Sequence, residues 1–176
     1  MIKMLFKLVL VIGIATFAHA KSAKFIGVGF GVFDSSSTSI GIDFLPLTLG
    51  VKNQNAKIYL GMSHLLSSPN SATHVNDALF VSTYAFNYDY LFDEFGYVLP
   101  YVGAGLSWNE VEYFSGQSSQ IIDKHSSFGF EMQTGIEYYF DKTVNLNIGL
   151  QYLQVNSNWV HHIYGVFIYL ELNKND

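Results

Sequence analysis

Lys24-Phe-Ile-Gly-Val-Gly-Phe-Gly-Val-Phe33 alternates two kinds of side chain with a period of two. Gly27, Gly29 and Gly31 fall on one side, and Ile26, Val28, Phe30 and Val32 on the other. A face without side chains suits a cramped interior. A face of bulky apolar groups needs apolar surroundings, and because the same parity recurs strand after strand with almost no charge on the bulky side, the medium outside reads as lipid.

Working outward from that strand, alternation dominates and no helical period or heptad competes with it. Eight strands are predicted, over residues 24–33, 38–51, 57–64, 78–91, 97–112, 127–140, 143–155 and 162–172. All but 57–64, which has eight residues, are of the length, about 9–11 residues or more, that a tilted strand needs to cross a membrane. The predicted fold is an all-β, eight-stranded, antiparallel up-and-down transmembrane β-barrel. Lys52-Asn53-Gln54-Asn55, Asp93-Glu94-Phe95-Gly96 and Asp141-Lys142 read as short turns, while 65–77 and 113–126 read as longer loops rich in Ser and Asn. Outer-membrane barrels have short periplasmic turns and longer outer loops, so the turns are assigned to the periplasm and the loops to the outside.

Parity then sorts the side chains. Leu60, Val102, Leu106, Phe130, Met132, Leu146, Ile148, Ile168 and Leu170 are among those predicted to point outward, with Ile40 and Ile42 on the second strand. Two places depart from the pattern. The apolar set shifts by one around Leu45-Pro46-Leu47, as a β-bulge at a proline produces. In the fourth strand Phe80, Tyr84, Phe86, Tyr88 and Tyr90 share the outward side with Ser82, while Leu79 and Val81 oppose them. Tyr88, Tyr90, Trp108, Tyr138, Tyr152 and Tyr164 lie near strand ends, where interfacial aromatic girdles are expected.

Residues 1–20 have the form of a secretory signal peptide: Lys3 and Lys7, an apolar run from Leu8 to Phe17, and the small-x-small site Ala18-His19-Ala20. The barrel domain is accordingly expected over residues 21–176, exported and placed in the outer membrane of a Gram-negative cell. There is no cysteine, so stability rests on sheet and packing rather than disulfides. Beyond residue 20 seven lysines face fourteen carboxylates and arginine is absent, which argues against nucleic acid as a partner. A soluble exported barrel of the lipocalin kind would carry Lys and Glu on its outer face, and only 13% of residues are charged.

Pro100-Tyr-Val-Gly-Ala-Gly-Leu-Ser-Trp108, Thr134-Gly-Ile-Glu-Tyr-Tyr-Phe140 and Tyr164-Gly-Val-Phe-Ile-Tyr-Leu170 resemble the small eight-stranded outer-membrane proteins of the OmpA/OmpX/Opa type within the porin family of barrels. The resemblance covers nearly all of 21–176. It implies insertion by the barrel-assembly machinery and contact with outer-membrane lipid and lipopolysaccharide. Such barrels usually end on an aromatic residue, whereas the last strand here closes at Leu172 before Asn173-Lys174-Asn175-Asp176.

An eight-stranded barrel is only wide enough to be filled by side chains, so no open pore is expected. Asp43, Lys57, Glu131, Glu137 and Glu171 are predicted to point inward as a polar lumen cluster, with Lys57, Glu137 and Glu171 together at the periplasmic end because buried charges need partners. His64, His74, His125, His161 and His162 all map to the outer rim, where metal capture, pH sensing or phosphate contact is the chemistry to weigh. The expected role is structural, surface-interacting or adhesive, with an extracellular ligand held by the outer loops and with no catalytic residues, cofactor or metal. The alternatives are a lipid A-modifying enzyme and a small hydrophobic-solute channel. The first needs a serine activated by a histidine; Gln154-Val155-Asn156 stands where lipid A deacylases carry His-x-Ser, and His125-Ser126-Ser127 is a candidate substitute. The second needs a lateral opening, for which Pro46 and Pro100 are the candidates.

Overall fold

A computed structural model describes residues 23–35, 38–67, 77–115, 120–158 and 160–174. The leader, His74, the tip of the 65–77 loop and the side chain of Ile40 lie outside the described residues. Eight strands form one closed antiparallel barrel in the order β1-β2-β3-β4-β5-β6-β7-β8, with β8 pairing back onto β1. They are β1 (Ala23–Ser35), β2 (Thr38–Lys52), β3 (Ala56–Ser67), β4 (Ala78–Leu91), β5 (Val98–Ser115), β6 (Gln120–Tyr139), β7 (Val144–Gln154) and β8 (His162–Lys174). Closure leaves no strand edge unpaired, which is the condition for a sheet to span a membrane.

One predicted loop is largely strand. The β5–β6 ladder continues past Glu112↔Lys124 to Ser115↔Gln120, so most of 113–126 is a projecting hairpin. Its base still covers the lumen, where Tyr113 is buried, and beyond that point apolar alternation is no longer required of it.

The two parity breaks have different causes. Around Pro46 the β1–β2 register slips between Val28↔Leu47 and Phe30↔Phe44, and the β2–β3 register between Asp43↔Leu65 and Leu47↔Met62. This is the bulge, and beyond it Leu47 and Leu49 point out while Thr48 and Lys52 point in. In β4 the outward set is Phe80, Ser82, Tyr84, Phe86, Tyr88 and Tyr90, and Leu79 and Val81 are buried inside.

The outward face is apolar and open to its surroundings: Val28, Phe30, Leu49, Val102, Leu106, Met132, Leu150 and Ile168 are all exposed. Aromatic rings pair at both ends of this band. Trp108 packs edge-on to Phe128 (4.8 Å) at the loop end, and Tyr90–Phe92 (5.2 Å) and Tyr138–Phe140 (5.3 Å) pack at the turn end. On the inner face Gly135 and Gly149 stand opposite each other on β6 and β7. A Cβ on Gly135 would lie 2.6 Å from the Tyr101 hydroxyl, so the bare patch is what lets that side chain lie over β6 and reach Asn147 on β7.

The short turns are closed by side chains. Asn53 Oδ1 accepts the N–H groups of Asn55 (2.9 Å) and Ala56 (2.8 Å). Asp141 Oδ1 accepts those of Thr143 (2.6 Å) and Val144 (2.8 Å), and these bonds hold its carboxyl below the usual carboxylate range. Gly96, at φ 68°, takes the left-handed position of the β4–β5 turn.

Candidate functional site

Inward parity carries the polar residues of eight strands into one lumen, and they sort into tiers. At the turn end Lys57 Nζ donates to Glu137 Oε1 (3.1 Å) and to Glu171 Oε1. Lys52 Nζ donates to Glu137 Oε2 and the Tyr139 hydroxyl. Asn145 and Asn147 donate their Nδ2 groups to Glu171 at 3.0 and 3.1 Å, and Tyr101 donates its hydroxyl to Asn147 Oδ1 at 2.8 Å. Lys57 also lies over the rings of Phe25 (4.5 Å) and Tyr59 (5.2 Å). Lys57, Glu137 and Glu171 are each at most 1% exposed, so every charge here depends on a partner.

The middle tier is polar with fewer cations. Gln133 Nε2 donates to Asp89 and to the Tyr59 hydroxyl, and Asn87 Nδ2 donates to Glu131 Oε2 (3.0 Å). Two cavities of about 20 and 10 Å³ lie at and above this level, each of a size for about one water.

The loop-end tier is an apolar plug. Phe33, Leu79, Val81, Val111, Leu153 and Ile163 are buried against one another, and Val155 and Val160 fold in over them from the β7–β8 connection. That connection is held by Ser157, whose hydroxyl donates to the Val160 carbonyl and accepts its N–H, both at 2.9 Å. The Tyr113 hydroxyl donates to Asp77 at the same end.

The five residues predicted as one lumen cluster therefore divide. Lys57, Glu137 and Glu171 come together. Glu131 sits apart with Asn87, and Asp43 sits at the bulge, where its Oδ1 accepts the His64 N–H at 2.8 Å. The interrupted β2–β3 ladder frees backbone groups there, and the Asp43 carboxylate closes the wall at that point. Pro100 likewise opens no gap, being paired with Ile136 in the β5–β6 ladder.

Lys52 and Asp89 belong to the lumen and escape the sequence reading. Lys52 reads as the first residue of a turn, but the outward positions of Leu47 and Leu49 after the bulge require Lys52 inward. Asp89 lies on β4, directly opposite Lys57.

The rim histidines do not converge. His161 and His162 are neighbours (rings 6.4 Å apart), and His162 Nδ1 bonds the Tyr152 hydroxyl at 2.7 Å. His64 is on the outward face of β3, stacked on Phe80 (5.6 Å), and His125 is on β6 opposite Val111. Among the described residues no three His, Cys, Asp or Glu side chains are grouped to hold a metal.

Nor does His125 activate a serine. Ser126 points to the other face, and Ser127 Oγ is buried with no hydrogen-bond partner. A Ser–His contact does occur elsewhere, between His64 Nδ1 and Ser82 Oγ (3.1 Å). The Asp43 carboxylate bonds the His64 backbone N–H rather than its ring, and Glu110, paired with Ser82 across the sheet, is held by Trp108 Nε1 (3.4 Å) and Lys124 Nζ (3.7 Å). Neither orients the imidazole as a triad acid does.

Comparison with known proteins agrees with this architecture. Residues 4–171 match the family model described as outer membrane protein beta-barrel domain. An uncharacterized protein of Brucella abortus (strain 2308) is 26% identical over 144 residues, which cover 74% of this chain and 50% of that protein, so the chain spans about half the length of the curated relatives it matches. Neisserial surface protein A superposes with a TM-score of 0.64 at 17% identity, covering 89% of this chain and 98% of its own. Ail, the attachment invasion locus protein of Yersinia pestis, superposes at 0.57 with 10% identity, covering 88% and 99%.

Proposed function

We propose that this chain, which belongs to the outer membrane protein beta-barrel family, is a sealed surface barrel that acts by contact through its loop end, with an attachment role, rather than by transport or catalysis. In this reading residues 1–20 direct export and are removed, the assembly machinery inserts residues 21–176 into a Gram-negative outer membrane, and the short turns face the periplasm. The observation that carries it is the lumen, closed by ion pairs at one end and by an apolar plug at the other. A barrel filled in this way offers a solute no continuous path. Function then falls to what projects, and the β5–β6 hairpin runs beyond the Trp108–Phe128 girdle to Ser115↔Gln120, roughly 25 Å along the strand at about 3.4 Å per residue. It carries Glu110 and Glu112 around Lys124 and an exposed Ile121, a surface suited to a protein or glycan partner. Likeness to Ail is one of fold, and its printed name makes attachment the first assay to run.

Replacing residues 112–123 by a two-residue turn is expected to leave the folded, heat-modifiable barrel intact while binding of expressing cells to immobilised matrix glycoproteins falls to the empty-vector level. Unchanged binding by the shortened protein would remove the hairpin from the account.

A further inference from the structure

Between the bulge and the turn end, the described lumen carries five buried carboxylates, Asp43, Asp89, Glu131, Glu137 and Glu171, against two cations, Lys52 and Lys57. The lysines are already committed. They bond Glu137 and Glu171, and Lys57 stands opposite Asp89 in the β3–β4 ladder. Asp43 is engaged by the backbone at the bulge. Glu131, 2% exposed, meets only neutral donors among the described residues: Asn87 Nδ2 at 3.0 Å and the side chain of Gln151. A carboxylate withdrawn from water needs a counter-charge, and neutral donors do not supply one.

The cavity of about 20 Å³ lies against this carboxylate. Thr48, Thr83, Asn87, Gln133 and Gln151 line it beside Glu131, so one acid shares the space with hydroxyl and amide oxygens. Two of these oxygens, Thr48 Oγ1 and Asn87 Oδ1, have no hydrogen-bond partner, on side chains at most 5% exposed. A water there would meet the oxygens and leave the charge. A proton would cancel the charge and serve a single acceptor.

A small cation does both. The donor set is all oxygen, without the imidazole or thiolate of a transition-metal centre, and so suits a hard ion. One carboxylate balances a monovalent ion, whereas a divalent one would leave a buried positive charge, and magnesium keeps several waters for which a space of about one water has no room. We propose that Glu131 and the oxygens around it hold one sodium ion, stripped of its water and taken up as the barrel closes. The proposal draws on the filled lumen and is independent of the loop-end role. The ion is captive once bound: the Lys52–Lys57 tier, which repels a cation, lies towards the turn end, and the apolar plug lies on the other side.

The test is elemental analysis of the folded protein, refolded in detergent with sodium chloride and then exchanged exhaustively into tetramethylammonium chloride. Retention of about one sodium per folded chain, the content of a space for about one water, with release on heat unfolding and at least about tenfold less retained by Glu131→Gln, is the expected result. A folded wild-type barrel without sodium would overturn the site, and undiminished retention by folded Glu131→Gln would remove Glu131 from it. Equal retention of potassium after refolding in potassium chloride would overturn the choice of ion. A second measurement needs no variant: at constant ionic strength, the folded-to-unfolded ratio of the wild-type protein should rise about tenfold for each tenfold rise in sodium replacing tetramethylammonium. A ratio indifferent to sodium would overturn the proposal whether or not Glu131→Gln folds.

Discussion

Lys57→Met is expected to destabilise the barrel by about 3–5 kcal/mol, since removing one partner of a buried ionic group leaves the others uncompensated. The loss is large here because Lys57 touches two carboxylates, Glu137 and Glu171, and neither reaches water. Methionine matches the stem and keeps contact with Phe25 and Tyr59, so the packing change is small. The charge explanation makes a second demand. Glu137 retains Lys52, leaving Glu171 as the orphan. Adding Glu171→Gln removes the orphaned charge, and although its one amide oxygen can accept from only one of Asn145 and Asn147, which bond different oxygens of the carboxylate, it should restore part of the loss. Denaturant unfolding in lipid vesicles measures both. A Lys57→Met protein within about 0.5 kcal/mol of wild type, the range of an inconsequential surface change, would mean that water reaches the carboxylates and that the turn end is not sealed.

Ile148→Lys is expected to cost about 2–4 kcal/mol, the penalty for a lysine facing lipid at mid-depth. Ile148 is central on β7, with Leu146 and Leu150 along the strand and Ile136 and Ile168 across it, so no partner for an ammonium group is within reach. Val144→Lys on the same strand and face, at the turn end, should cost only about 0–1 kcal/mol because the side chain can snorkel to the interface. Equal costs at the two positions in the same unfolding assay would contradict the assigned depth of the band.

Much of this was legible in the alternation. Gly27, Gly29 and Gly31 against Ile26, Val28, Phe30 and Val32 already state inside and outside, and the closed barrel keeps that division. Legibility failed where a local rule was overridden by the lumen or lost its cause. Leu79 and Val81 look misplaced only if the interior is assumed polar throughout; the loop-end plug is apolar, and bulky residues there belong inside. Lys52 was hidden by the bulge at Pro46, which changes the parity of everything after it. The hairpin from 113 to 126 has no lipid to face and hence no pattern to read. Asp43 was legible as inward, but its bond to the His64 N–H depends on a ladder gap that only the register reveals.

The central claim, a closed sheet whose bulky face is held by lipid, is tested most directly on the purified wild-type protein. In detergent or vesicles the account predicts β-sheet circular dichroism and a folded form that migrates differently on unheated and heated gels, both lost when the chain is diluted into detergent-free buffer. The same sheet signal and a monodisperse, soluble barrel in buffer alone would contradict it.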